Sequence, residues 1–153
     1  MKKTFLLFTT ALMLCATSTF AQSGAGTFVV GIQGVNTSTI NNPDYTVDNT
    51  TRFLNEVIVH SSQYSPNFKH FRLNSGTYLV NGTINLDGTN NLKGIVIEGS
   101  EGTIISRAPG FTGPIFSLST ERNIIQNLKI INNESIAIKI NDKGQRNIIE
   151  NIV

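Results

Sequence analysis

Arg122-Asn123-Ile124-Ile125-Gln126-Asn127-Leu128 returns as Arg146-Asn147-Ile148-Ile149-Glu150-Asn151-Ile152, 24 residues later at every position. A fainter copy, Asn90-Asn91-Leu92-Lys93-Gly94-Ile95, lies upstream. A strand-like unit recurring at such a period is the signature of a stacked solenoid, in which each copy buries its apolar face on the next.

Working outward, the chain after Asn81-Gly82, a strong turn dipeptide, lays out in three rows. The first runs Ile84-Asn85-Leu86, turns through Asp87-Gly88-Thr89-Asn90, and continues with Leu92, Ile95 and Ile97. The second runs Phe116-Ser117-Leu118, turns through Ser119 to Asn123, and continues with Ile125, Leu128 and Ile130. The third runs Ile138-Lys139-Ile140, turns through Asn141 to Asn147, and continues with Ile149 and Ile152. Arg107 to Gly113 reads as an insertion. Alternation puts the apolar residues of each strand on one face. In-register stacking is then expected to bury Ile84 on Phe116 on Ile138, and Ile95 on Leu128 on Ile152. Asn90, Asn123 and Asn147 are expected to form one turn column whose side-chain amides bond along the stack. Gly99 and Asn132 are expected to form a corner column, since both residue types tolerate a left-handed backbone. The alternative, an antiparallel sandwich with strands every 8 to 12 residues, leaves the uniform return without a reason.

Upstream, Thr27-Phe28-Val29-Val30 reads as a strand, and Asn36 to Pro43 as a linker or entry loop. Asp48 to Ser62 is the one helix candidate. Asp48 or Thr50 can accept N–H bonds at its start, and Phe53, Leu54, Val57 and Ile58 form an apolar stripe. The competing reading is a strand over Val57-Ile58-Val59, because β-branched residues are poor helix formers. Tyr64-Ser65-Pro66-Asn67 reads as a turn, and short strands follow around Phe71, Leu73 and Tyr78-Leu79-Val80.

Composition bounds the rest. Met1-Lys2-Lys3, the apolar run Phe5 to Ala16 and the small residues before position 22 fit a bacterial-type secretory signal peptide over 1–21. The run is too short for a membrane span of roughly 20 apolar residues. Its removal takes away Cys15, the single cysteine, so no disulfide is expected. It also lowers the 12 basic residues to 10 against 10 acidic, a net charge of zero, which removes the electrostatic case for nucleic acid. Strand-forming Ile and Thr mixed with turn-forming Asn and Gly suit many short strands.

From Thr46 to Val153 the chain resembles the N-terminal part of the pectate lyase-like, right-handed parallel β-helix superfamily, which includes rhamnogalacturonase and polygalacturonase. The resemblance rests on the Ile/Asn-rich repeat, on the early helix phrase Asp48-Asn49-Thr50-Thr51-Arg52-Phe53-Leu54-Asn55, and on Phe71-Arg72-Leu73-Asn74-Ser75-Gly76-Thr77-Tyr78-Leu79-Val80. It implies an all-β parallel solenoid with an N-terminal capping α-helix. Residues 22–45 would be an N-terminal extension, and 46–153 the cap and first coils, with C-terminal coils missing. Where many relatives carry a Gly-Asp-Gly phrase before the helix, this chain has Asn41-Asn42-Pro43-Asp44-Tyr45. The function implied is that of a secreted or periplasmic carbohydrate-active protein, a polysaccharide lyase or glycoside hydrolase acting on an acidic glycan, with its catalytic coils downstream. The alternative is a non-catalytic adhesin or glycan-binding module.

The residues themselves assign no catalytic site. Hydrolases of this kind need paired carboxylates. The four aspartates, Asp44, Asp48, Asp87 and Asp142, are scattered. Asp87 and Asp142 fall in the same turn two coils apart, where local backbone bonding is the simpler role. His60 and His70 have no cysteine or acidic cluster beside them in sequence, so no metal and no cofactor is expected. Arg122 and Arg146 repeat in one column and could contact an acidic glycan, although repeated surface arginines are more often solvated edges. Lys93, Lys129 and Lys139 are expected outward. Tyr45, Tyr64 and Tyr78 are too scattered for a sugar platform. Asn36, Asn49, Asn81 and Asn133 match the glycosylation pattern, as chance allows in so Asn/Thr-rich a chain.

Overall fold

A computed structural model describes residues 26–35, 43–64, 69–88, 92–131 and 135–153. The signal-peptide segment, the linker run at 36–42, Ser65-Pro66-Asn67, Asn90, Asn132, and the sequons at Asn36 and Asn133 lie outside the described residues.

The described residues form strands β1 (Thr27–Ile32), β2 (Tyr45–Val47), β3 (His70–Leu73), β4 (Gly76–Val80), β5 (Ile84–Leu86), β6 (Val96–Gly99), β7 (Thr103–Arg107), β8 (Phe116–Leu118), β9 (Ile124–Ile131), β10 (Ile138–Ile140) and β11 (Ile148–Ile152), with one helix, α1 (Leu54–Tyr64). Every strand pair is parallel. One face carries β2-β1-β3-β6-β9-β11, a second carries β4-β7-β9, and a third carries β5-β8-β10. The result is a mostly-β structure whose parallel sheets wrap around one apolar core in a nearly closed barrel-like arrangement, compatible with an all-β parallel solenoid.

The core follows from the alternation. Ile84 stacks on Phe116 and Phe116 on Ile138, as the first-strand column of the sequence predicts. Phe71, Leu73, Tyr78, Leu86, Ile97, Ile105, Leu118 and Ile125 close the interior, all at or below 2 % exposure. Each buried leucine or isoleucine side chain contributes about 1.5–3 kcal/mol relative to an exposed one. Tyr78 is the polar exception. Its hydroxyl lies 2.9 Å from the Val30 carbonyl and 2.8 Å from that of Asn74, which share its single proton. Burial pushes its ionisation well above the usual tyrosine range, outweighing the bond to Asn74.

The second-strand column corrects the sequence reading. Ile95 does not stack on Leu128. Ile97 lies opposite Ile125, Ile125 opposite Ile149, and Leu128 opposite Ile152. The residue level with Asn123 is therefore Ile95, and not Asn90. The corner also differs from expectation. Gly99 falls in line with Asn127, and its backbone is not left-handed. It is a glycine because a Cβ there would collide with the Asn127 carbonyl. The left-handed corner residues are Asn127, with φ of 57°, and Asn151, with φ of 50°. Asn127 turns β9 so that its first half pairs with β6 and its second half with β7, while β11 follows it around the corner as far as Leu128. Asn151 Nδ2 donates to Asn127 Oδ1 at 3.0 Å, which repeats the corner one rung on.

The helix reading holds against the strand alternative. Leu54, Val57 and Ile58 are fully buried in the shared core. The Glu56 carboxylate reaches back to accept the Phe53 N–H at 3.2 Å, the reciprocal half of a capping box. Asp48 lies before the helix and not at its cap. It accepts the N–H groups of Thr50, Thr51 and Arg52 and both threonine hydroxyls, building a tight turn. Those bonds, led by the Thr51 hydroxyl, hold its carboxyl far below the usual carboxylate range. Asn49 then uses its side chain as a strand would. Its Nδ2 donates to the Thr77 carbonyl at 2.8 Å, and its Oδ1 accepts the Leu79 N–H at 2.8 Å. The matched sequon at Asn49 is thus a clamp on the outer strand β4. β2, which the sequence reading passed over, pairs with β1 through Val30–Tyr45, Gly31–Thr46 and Ile32–Val47.

Candidate functional site

Two surfaces bring polar side chains together. The first is the outward face of the β3-β6-β9-β11 sheet. In a parallel in-register stack, every second residue points outward and aligns with its counterpart one strand away, about 4.8 Å off. Arg72, Glu98, Gln126 and Glu150 make one such column. Glu98 is its hub. His70 Nε2 lies 2.8 Å from Glu98 Oε2. Gln126 Nε2 and Asn127 Nδ2 donate to Oε1 at 3.0 and 3.3 Å. The Thr27 hydroxyl lies 3.4 Å from His70 Nδ1. Partial burial works to raise the Glu98 pKa. The bonds from His70, Gln126 and Asn127, with the His70 charge, outweigh it and hold the carboxyl below its ordinary value.

Sequence reasoning passed over Glu98. It found no cysteine or acidic cluster around His70, and the fold supplies a single carboxylate from the next strand. The signal was the alignment of Arg72, Glu98, Gln126 and Glu150, which the wrong second-strand register hid. Among the described residues no group of three or more His, Cys, Asp or Glu could hold a metal ion.

The second surface is the corner preceding the second strand of each rung. Asn123 is completely buried there, and its side chain replaces missing backbone partners. Its Oδ1 accepts the Ile95 N–H at 3.0 Å, and its Nδ2 donates to the Thr120 carbonyl at 3.1 Å and to Asn147 Oδ1 at 3.0 Å. Asn147 Oδ1 in turn accepts the Asn123 N–H at 2.9 Å. The predicted ladder of Asn123 and Asn147 is present. The residue before each level is left-handed, with φ of 63° at Gly94, 65° at Arg122 and 56° at Arg146. Glycine adopts this backbone freely, whereas a residue with a Cβ is strained by roughly 1–2 kcal/mol. Next to this column lies an open groove of about 460 Å³ lined by Lys93, Ser119, Thr120, Glu121, Arg122 and Lys143. Arg146 reaches the Glu121 carboxylate at 3.9 Å, with both side chains more than half exposed. Such a pair is worth little.

The remaining sequence candidates are dispersed. Asp87 follows β5, and the register Leu86–Leu118–Ile140 puts Ser119 and Asn141 at its level. Asp142 is one residue further on, so the two aspartates do not share a column. Asn141 Nδ2 instead bonds the hydroxyls of Ser117 and Ser119 at 2.8 and 2.7 Å. Asp44 Oδ2 accepts the Val29 N–H at 2.7 Å, a local strand-joining role. The His60 ring lies 5.3 Å from that of Tyr45, and the Arg52 guanidinium lies over the same tyrosine ring, 4.9 Å from its centroid. Tyr78 is interior and so joins no surface platform. Lys93, Lys129 and Lys139 are exposed, as expected. Among the described residues no helix is long and apolar enough to cross a membrane. Compared with known proteins, the chain matches no family model, no curated protein and no solved structure.

Proposed function

We propose that this is part of a secreted or periplasmic, carbohydrate-active right-handed parallel β-helix of the pectate lyase-like kind, with α1 covering one end of the coil stack and a polysaccharide as its partner. The observation that carries this reading is the outward column Arg72–Glu98–Gln126–Glu150, whose members recur at one strand spacing. A solenoid surface that repeats polar groups along its axis suits a linear polymer of repeating units. The right hand follows the general rule for parallel strand crossovers. Helix α1 fits a cap, because it buries Leu54, Val57 and Ile58 while Asn55 and Glu56 bond Asn81. The signal-type start supports export.

Within this reading the activity is that of a polysaccharide lyase or glycoside hydrolase. A second reading, a non-catalytic glycan-binding or adhesin module, is favoured by one feature. Both oxygens of Glu98 are already held by side-chain donors. That leaves the carboxylate a poor proton acceptor. The test is incubation of the chain with polygalacturonate, related acidic polymers and neutral glucans, with and without calcium. Retention on at least one polymer is expected. Unsaturated product or new reducing ends select the enzyme, and retention without turnover selects the binding module. Neither retention nor turnover on any polymer contradicts the glycan reading.

A further inference from the structure

The left-handed column Gly94–Arg122–Arg146 contains a choice that the fold does not require. In one rung the corner is made by glycine, and in the next two by arginine. Strained backbone at a position where glycine serves equally well directs attention to what the side chain does. Here Arg122 lines a groove that it shares with Lys93 and Lys143. Among the described residues these three cations have no acidic or hydrogen-bonding side-chain partner. Arg146 stands one rung further on, and among the described residues its one ion-pair partner is the exposed Glu121, 3.9 Å away. Three cations and one carboxylate therefore line the groove, with Arg146 beside it, in a chain whose net charge is zero without its first 21 residues.

We propose that this corner groove binds oxyanion groups, carboxylate or sulfate ester, carried on a linear glycan, with Arg122 and Arg146 engaging successive charges along the stack and Lys93 and Lys143 flanking them. This rests on the glycan reading above and deepens it. Guanidinium groups match the planar or tetrahedral oxygens of such anions in a paired geometry. Single-stranded nucleic acid fits less well, because no aromatic side chain lines the groove to stack a base. The groove is open, which suits a chain passing through in preference to a small enclosed ligand.

The experiment measures binding of the whole chain to dextran sulfate, polygalacturonate, neutral dextran and a DNA oligonucleotide, at low and at 0.5 M salt, beside the melting temperature. The wild type is expected to bind at least one of the two acidic glycans at low salt, and 0.5 M salt to weaken that binding strongly. Which polymer binds distinguishes sulfate from carboxylate. The double variant Arg122→Gly/Arg146→Gly is expected to lose at least tenfold in that affinity while its melting temperature stays level or rises, since the left-handed strain is gone. Lys93→Ala/Lys143→Ala is expected to lose affinity by a smaller factor. Wild-type affinity in both double variants overturns the proposal, as does loss of binding accompanied by a fall of several degrees in melting temperature. Tighter binding to DNA than to either acidic glycan also overturns it. Binding to neutral dextran alone refutes the groove while leaving the broader glycan reading standing.

Discussion

His70 and Glu98 sit on adjacent parallel strands with Nε2 and Oε2 2.8 Å apart, and the carboxylate joins β3 to β6 and β9 across the outer face of the sheet. Because an ionised carboxylate only accepts, Nε2 carries the hydrogen. The Glu98 pKa is depressed below its ordinary value of 4.5. A carboxylate of this kind contributes stability that is present in full above the unfolded-state value and is lost as pH falls through the folded one. Glu98→Gln is therefore expected to be less stable than wild type at pH 6–7. The gap should shrink steadily on acidification below about 4.5, the ordinary value for this group. Denaturant melts at a series of pH values check this, and a gap independent of pH contradicts it.

Asn123 joins three levels of the stack with no exposure of its own. Asn123→Ala removes the acceptor for the Ile95 N–H and leaves that buried group without a partner, while the Thr120 carbonyl keeps its bond from Asn147 Nδ2 at 3.0 Å. An orphaned buried group of this kind costs about 1–3 kcal/mol, and a loss in that range is expected by chemical denaturation. Asn147→Ala, on a half-buried side chain, should cost less. Equal or opposite effects would show that the ladder is not what joins the levels.

Ser61 lies inside α1 with 3 % exposure, and its hydroxyl has no hydrogen-bond partner among the described residues. Burying an unsatisfied hydroxyl is unfavourable, and alanine is the better helix former. Ser61→Ala is expected to raise stability by about 1 kcal/mol. A clear loss of stability would mean that the hydroxyl is bonded in solution.

The left-handed corner at Asn127 separates two roles of its side chain. Asn127→Gly keeps the backbone easy and loses the bonds to Glu98 and Asn151. Asn127→Ala loses the same bonds and adds backbone strain of about 1 kcal/mol or more. Thermal melts should rank wild type above glycine and glycine above alanine. Alanine equal to glycine would remove the conformational argument.

How far the sequence could be read depends on where its turns vary. Ile84, Phe116 and Ile138 each open a three-residue apolar-polar-apolar strand, and that pattern admits one register only. The second strand is different. Leu92, Ile95 and Ile97 are all apolar, so sliding the row leaves an apolar residue facing inward either way. The turn after Leu86 is longer than its later counterparts. The link Ser100-Glu101-Gly102 between β6 and β7 is replaced in the next rung by the bend at Asn127. These length changes carry no apolar signal. β2 was missed because three residues, Tyr45-Thr46-Val47, are too few to show alternation. The Glu98 cluster was hidden by the same slip, since its members are distant in sequence and meet only when the register is right. The ladder of Asn123 and Asn147 was visible because the 24-residue return contains no length change.

The most direct measurement is a set of methyl–methyl nuclear Overhauser contacts in isoleucine- and leucine-labelled protein. In-register parallel stacking predicts contacts in line from Ile97 to Ile125 and from Ile125 to Ile149, with Leu128 touching Ile152. Contacts from Ile95 to Leu128 in place of the Ile97–Ile125 pair, or cross-strand contacts of antiparallel order, would contradict it.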